Sequence, residues 1–203
     1  VTRPGQTVEV SDRGEQAPVP VLAGSNSGEI RSLRMLAPPV PASDADYERT
    51  IRERYGDLAD EFLRLYPSSD MEESILAASR DALYGWTSER LVQSQTAAGQ
   101  PSYLYLFDHG YPAAGAAGLH AFHASELPYM FGALPRAPPR WPAIPDTPEE
   151  RRLSDAMVAY WASFVRDGRP DAAGSPAWSP HGDADAFMTF RDSPIPSTDL
   201  LPG

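Results

Sequence analysis

An α/β fold, with a parallel sheet that these residues supply only in part, is the architecture expected of this 203-residue sequence. Two short apolar segments, PVPVLAG (18–24) and SYLYLFD (102–108), have the composition of strands covered on both faces. A long stretch of helical periodicity lies between them, as a crossover between parallel strands requires. A third strand, AFMTF (186–190), comes late. Three strands are few for so many helices, and interior parallel strands need neighbours on each side. The missing strands are therefore expected on another segment, making this chain part of one larger domain.

Residues 1–17 are polar, carry Pro4, Gly5 and Gly14, and read as loop. APPVPAS (37–43) cannot be helical, because proline lacks the N–H donor and fixes φ. Ser43 and Asp46 then resemble a capping box that opens a charged helix to about Tyr55. DLADEFLRLY (57–66) sets Leu58, Phe62 and Leu65 on one helix face. Further helices are expected over about 70–83 and 87–98, ended by Gly99-Gln100-Pro101, so that residues 30–100 form one helical insertion. Residues 109–121 are rich in Gly and Ala and read as loop. Residues 147–168 form an amphipathic C-terminal helix, with Thr147 and Glu150 as capping box, Pro148 in the first turn and Gly168 as stop.

The net charge of −11 argues against nucleic acid or an anionic membrane surface as partner, since both repel an anion. No apolar run approaches the ~20 residues of a membrane span. No basic and then apolar leader opens the chain, so no signal peptide is expected. Cysteine is absent, which excludes disulfides and thiolate metal sites and leaves the compartment open. A secreted or periplasmic location is slightly favoured over the cytoplasm. All 17 basic residues are arginine, the signature of a GC-rich bacterial genome.

Chemistry has few carriers. GSNSGE (24–29) has the glycine spacing of a Gly-x-Ser-x-Gly nucleophile elbow, but its middle residue is Asn26. Ser25 and Ser27 sit one place off. The turn instead sets Glu29 just beyond a strand. His123, in HASELPYMFG (123–132), follows the second strand and its glycine loop. Loops beyond the carboxyl ends of strands are where α/β sheets place chemistry. A carboxylate followed by a histidine matches the Ser…Asp/Glu…His order of α/β-hydrolases. His120, His123 and Glu126 lack a metal-site pattern such as HExxH, so no metal and no cofactor are expected. His109 and His181 read as solvated groups. Phe122, Leu127, Tyr129, Met130 and Phe131 are expected to pack beneath the site.

Several of these segments resemble the type-B carboxylesterase family, which includes cholinesterases and bacterial para-nitrobenzyl esterases. PVLAGSNSGE resembles the strand and turn that carry the acid of that family's triad, and SYLYLFDH resembles its penultimate core strand. HASELPYMFG resembles its histidine segment, His-x-x-Glu followed by apolar residues and Phe-Gly. MVAYWASFVRDGRP, with Trp178, resembles its C-terminal helix, and RDALYGW (80–86) a segment of the bacterial members.

The resemblance implies the C-terminal portion of an α/β-hydrolase fold and a serine carboxylic-ester hydrolase. It puts Glu29 at the triad acid and His123 at the base. Gly28-Glu29-Ile30 departs from the commoner Asp-Glu-Gly wording. No Gly-x-Ser-x-Gly and no HGGG-like segment occur in these residues. The nucleophile and oxyanion hole are therefore expected on an N-terminal part of the enzyme, the implied partner of this chain, and the chain alone is expected to be inactive. The alternative is a binding or adhesion module of the cholinesterase-like type that lacks the nucleophile.

Overall fold

The computed structural model describes residue 10, residues 13–198 and residue 200. The loop expected over 1–17 falls mostly on residues 1–9, 11 and 12, which lie outside the described residues. Four strands form one sheet in chain order: β1 (Val21–Asn26), β2 (Ser102–Phe107), β3 (Ala186–Phe190) and β4 (Pro194–Thr198). β1, β2 and β3 run parallel and β4 returns antiparallel to β3. Among the described residues, β1 has a partner on one edge only.

β1 lies later than the apolar run that announced it. Pro18 and Pro20 remove two ladder donors, so pairing begins at Val21 opposite Ser102. Gly24 does not end the strand. It pairs with Tyr105, and a Cβ there would stand 2.3 Å from the Tyr105 carbonyl oxygen and 2.4 Å from its ring. The glycine leaves room for that ring. β4 was hidden by Pro194 and Pro196; both are tolerated because β4 is an edge strand.

The helical insertion forms much as the sequence indicates. In α1 (Asp44–Tyr55) the Ser43 Oγ accepts from the Asp46 N–H at 3.2 Å. A 3-10 turn, Gly56–Leu58, leads into α2 (Ala59–Leu65). Tyr47, Ile51, Ala59 and Ile75 form a small core of their own. α3 (Met71–Arg80) and α4 (Trp86–Ala97) were expected as separate helices. They are joined without a break by a π-helical turn, Asp81–Gly85. The stretch 109–121, expected as loop, contains the short helix α5 (Pro112–Ala116), with proline in its first turn and alanines behind it.

β2 organises the layers through its alternation. Tyr103, Tyr105 and Phe107 face one way, where Phe164 of α7 (Pro148–Asp167) meets Tyr103 edge-on and Trp161 meets Tyr105. Leu104 and Leu106 face the other way, against Val92 of α4. The larger core lies under α7 and includes Tyr129, Met157, Tyr160, Trp178 and Phe190. α7 is capped as its sequence requires: Thr147 Oγ1 accepts from the Glu150 N–H at 3.3 Å, and Gly168 stops the helix at φ 71°.

Substituting Gly24 by alanine tests the fit between β1 and β2. The added methyl has no space, so Gly24→Ala should lower stability by about 1–3 kcal/mol. A shift of the chemical-denaturation midpoint measures it; an unchanged midpoint would show that the Tyr105 ring moves aside freely.

Candidate active site

Parallel pairing brings the carboxyl ends of β1 and β2 to one edge of the sheet, with Asn26 opposite Phe107. The turn after β1 is sewn to the segments after β2. Ser27 N–H donates to the Phe107 carbonyl and Gly28 N–H to the Ala121 carbonyl, each at 2.9 Å. Gly28 and Phe122 form an isolated parallel bridge. A Cβ on Gly28 would lie 2.6 Å from the Leu119 oxygen and 2.7 Å from the Ala121 oxygen, so only glycine permits this approach.

These stitches place Glu29 against His123. Glu29 Oε2 and His123 Nδ1 are 2.7 Å apart, and Glu29 Oε1 accepts from the Asn26 N–H at 3.3 Å. The carboxylate is 5% exposed, whereas the imidazole is 44% exposed. His123 Nε2 makes no hydrogen bond among the described residues. The ring therefore has one nitrogen held by a buried acid and the other available. Burial is the largest influence on the Glu29 carboxyl and pushes its pKa above the ordinary glutamate range. The charge and hydrogen bond of His123, and the Asn26 N–H, oppose that push, while nearby Glu126 adds to it.

Each of the two residues is followed by a non-glycine residue in left-handed backbone. Ile30 has φ 73° and is fully buried; Ala124 has φ 68°. For a β-branched residue this conformation is an outlier, costing on the order of 1–3 kcal/mol. It persists here because hydrogen bonds on both sides fix the chain: Arg31 N–H to the Gly28 carbonyl, and Ser125 N–H to the Phe122 carbonyl.

Asn26 is the residue that sequence reasoning passed over. It is buried, and its Nδ2 donates to the Phe122 carbonyl at 2.8 Å and to Glu126 Oε2 at 2.5 Å. It thus ties the acid turn to the histidine loop through its side chain. The available signal was an amide in the middle of GSNSGE, a position that would otherwise hold an elbow serine. Glu126 serves this clamp and does not bond the His123 ring.

Other expectations change. His109 is not solvated: it packs edge-on to Phe107 and Tyr129, with Nε2 2.8 Å from Glu150 Oε2. Nor is His181, which is 2% exposed beside β2, its N–H bonded to the Ser102 carbonyl. Gly- and Pro-rich surroundings signalled turns, and turns can be buried once a neighbouring strand satisfies their backbone. Phe122 and Tyr129 are buried as expected, but Leu127 and Phe131 are exposed at 40% and 70%. α6 (Leu127–Met130) is a single turn that can bury only one face. Among the described residues, no group of three or more His, Cys, Asp or Glu is placed to hold a metal ion, and no helix is long and apolar enough to cross a membrane.

A partly parallel sheet layered between helices, with an acid–histidine pair at its carboxyl edge, defines an α/β-hydrolase fold. Solved structures share it: a PNB esterase superposes with a TM-score of 0.74 at 23% identity, covering 96% of this chain and 41% of that one. EstA of Aspergillus niger gives 0.72 at 20% identity, covering 96% and 39%. The sequence profile of the Carboxylesterase family matches residues 14–196, and the chain belongs to that family. Relatives include carboxylesterase 4A of Bos taurus, 25% identical over 87% of this chain and 34% of its own length. Fumonisin B1 esterase of Sphingopyxis macrogoltabida is 28% identical over 90% and 34%. The chain thus spans about a third of the length of these curated relatives.

Two measurements probe this geometry. Asn26→Ala leaves the Glu126 carboxylate without its donor and takes one of two donors from the Phe122 carbonyl, which keeps the Ser125 N–H. A loss of about 1–3 kcal/mol is expected for a buried group left unpaired, read from thermal melts; an unchanged melt would show that the amide clamp carries no load. Glu29→Gln tests the cost of burying the acid. A carboxyl with a raised folded pKa contributes stability below its unfolded pKa and loses it as pH rises through the folded value. Relative to the glutamine variant, the parent should therefore lose stability as pH climbs from the ordinary glutamate range through the raised one. Melting temperatures of both proteins from acid to neutral pH give the difference, and parallel curves would contradict it.

Proposed function

We propose that this chain supplies the acid and the base of a Ser-Glu-His triad in a carboxylic-ester hydrolase. In this reading Glu29 is the acid, His123 is the base, and the serine and oxyanion hole lie on a segment outside these residues. The observation that carries it is the 2.7 Å contact between a buried Glu29 and a half-exposed His123 whose Nε2 stays open. The family, the esterases among the relatives, and the open edge of β1 support it. Residues 30–100 act as the crossover and lid-like insertion between the two residues, and 147–168 as the C-terminal helix of the same domain.

The chemistry follows from the two ring nitrogens. Nδ1–H donates to Glu29, which leaves Nε2 unprotonated and able to accept the serine proton as the oxygen attacks the ester carbonyl. The imidazolium so formed is stabilised by the adjacent carboxylate. Nε2–H then protonates the departing alcohol as the ester C–O bond breaks, leaving an acyl-serine. A water loses its proton to Nε2 while attacking the acyl carbon. The proton returns to the serine oxygen, releasing the carboxylic acid. The substrate is a small-molecule ester, and no cofactor enters.

The test uses the full-length protein and p-nitrophenyl esters. His123→Ala should lower kcat/KM by roughly 10⁴ or more. Glu29→Gln keeps the shape of the contact and loses the charge, so kcat should fall by orders of magnitude with KM less affected. His120→Asn, at a position with φ 51° that asparagine accepts, should change activity less than about threefold. An active His123→Ala enzyme would sink the assignment. Inactivity of the intact parent on every ester would instead favour the adhesion-module reading.

A further inference from the structure

We infer that Tyr84 is a positioning residue for His123, delivered by the π-helical turn and fixing the imidazole in its working orientation. The inference rests on the ester-hydrolase reading above. Its basis is a contact the catalytic pair itself does not explain: the Tyr84 ring centroid lies 5.4 Å from that of His123, with the planes at 56°. His123 is held by Glu29 at one nitrogen only, and a single hydrogen bond leaves a half-exposed ring free to swing about it. Tyr84 closes one flank of that swing.

The way Tyr84 is presented supports the role. It sits inside Asp81–Gly85, the only π-helical turn among the described residues, within an otherwise continuous helical rod. π-turns are rare and recur at functional sites because they re-aim a side chain that an α-helix would place elsewhere. The rod is tied on both sides of Tyr84, to the acid turn at one end and to β1 at the other. Arg80 Nη1 donates to the Ser27 carbonyl at 3.3 Å, and Ser88 Oγ donates to the Gly24 carbonyl at 3.0 Å. Asp81 is held in turn by Arg80 Nε at 2.6 Å and by the Tyr66 hydroxyl at 2.9 Å. The same turn that carries Glu29 therefore anchors the helix that carries Tyr84. Burial raises the Tyr84 phenol pKa, and the Glu29 charge raises it further. The hydroxyl therefore stays protonated at neutral pH and adds no negative charge beside the pair.

An aromatic ring also offers more than bulk. The imidazole becomes a cation only when it has taken the serine proton, and a neighbouring π-system attracts it most at that moment. The ring, not the hydroxyl, should carry the effect.

The experiment measures kcat and KM of the full-length enzyme on a p-nitrophenyl ester for Tyr84→Phe, Tyr84→Leu and Tyr84→Ala. The phenylalanine variant should stay within about threefold of the parent. Leucine and alanine should lower kcat by about 10- to 100-fold, the scale of a small misplacement of a reacting group, with KM changing less. Leucine keeps an apolar side chain of substantial volume, so its folding, checked by thermal melt, keeps the test decisive if the alanine variant does not fold. Parent-like kcat in the leucine variant would overturn the inference. So would a phenylalanine variant as impaired as leucine, which would move the role to the hydroxyl. Inactivity of the parent enzyme itself would count against the hydrolase reading, an outcome distinct from either.

Discussion

Parallel pairing of β1 with β2 is the constraint on which the candidate site depends. The register runs from Val21 opposite Ser102 to Asn26 opposite Phe107, so both strands end at the same level. Everything that follows either strand must emerge at that edge. The 75 residues between Asn26 and Ser102 in the numbering must cross back along the sheet before β2 can begin. Two segments far apart in sequence then leave side by side. Short hydrogen bonds from Ser27 and Gly28 suffice to lock them together. A slip of one residue in β1 would turn its buried side chains to the opposite face and separate Glu29 from His123.

The site is built against local stability. A carboxyl is buried with its pKa raised, a second carboxylate stands near it, and two non-glycine residues take left-handed backbone. Each of these is unfavourable alone. Asn26 makes the arrangement tolerable because it serves both acids, its backbone N–H reaching Glu29 and its side chain reaching Glu126. Each carboxylate thereby has a donor from the same residue. Rigid supports at both ends, β1 on one side and the large core under α7 on the other, supply the packing that offsets these costs.

Much of this was legible in the sequence. The capped helix of residues 147–168 was, because Thr147, Pro148 and Gly168 act through local rules that hold without tertiary context. β2 and β3 were, because their apolar runs have no competing signal. Glu29 and His123 were placed by motif and by their position beyond strands. What stayed hidden depended on contacts between distant segments. Gly24 reads as punctuation until Tyr105 is laid across it. The π-turn that joins α3 to α4 has no simple residue signature. β4 carries prolines that argue against a strand until its edge position is known. The side-chain contacts of Asn26 and the ring contact of Tyr84 are with partners more than 30 residues away.

Among the described residues two acid–histidine contacts have nearly equal length, and their surroundings differ. Glu29 and His123 meet at 2.7 Å, Glu150 and His109 at 2.8 Å. At the second pair the carboxylate also accepts from the Tyr129 hydroxyl at 2.6 Å, the ring is 12% exposed, and its Nδ1 lies 3.6 Å from Asp192. His109 thus bonds a buried carboxylate through Nε2, while its Nδ1 points toward an exposed one beyond hydrogen-bond distance. It fastens α6, through Tyr129, to the first turn of α7, and so holds the histidine loop from behind. At His123 the acid serves the ring and the Asn26 N–H, and the other ring nitrogen makes no hydrogen bond among the described residues. The distance between acid and ring is the same in kind, so the two pairs differ in enclosure: the His109 ring is 12% exposed and the His123 ring 44%. An enclosed ring whose acid also holds a tyrosine is a strut between helices. A half-exposed ring beside the carboxyl ends of parallel strands is the arrangement that the proposed base requires.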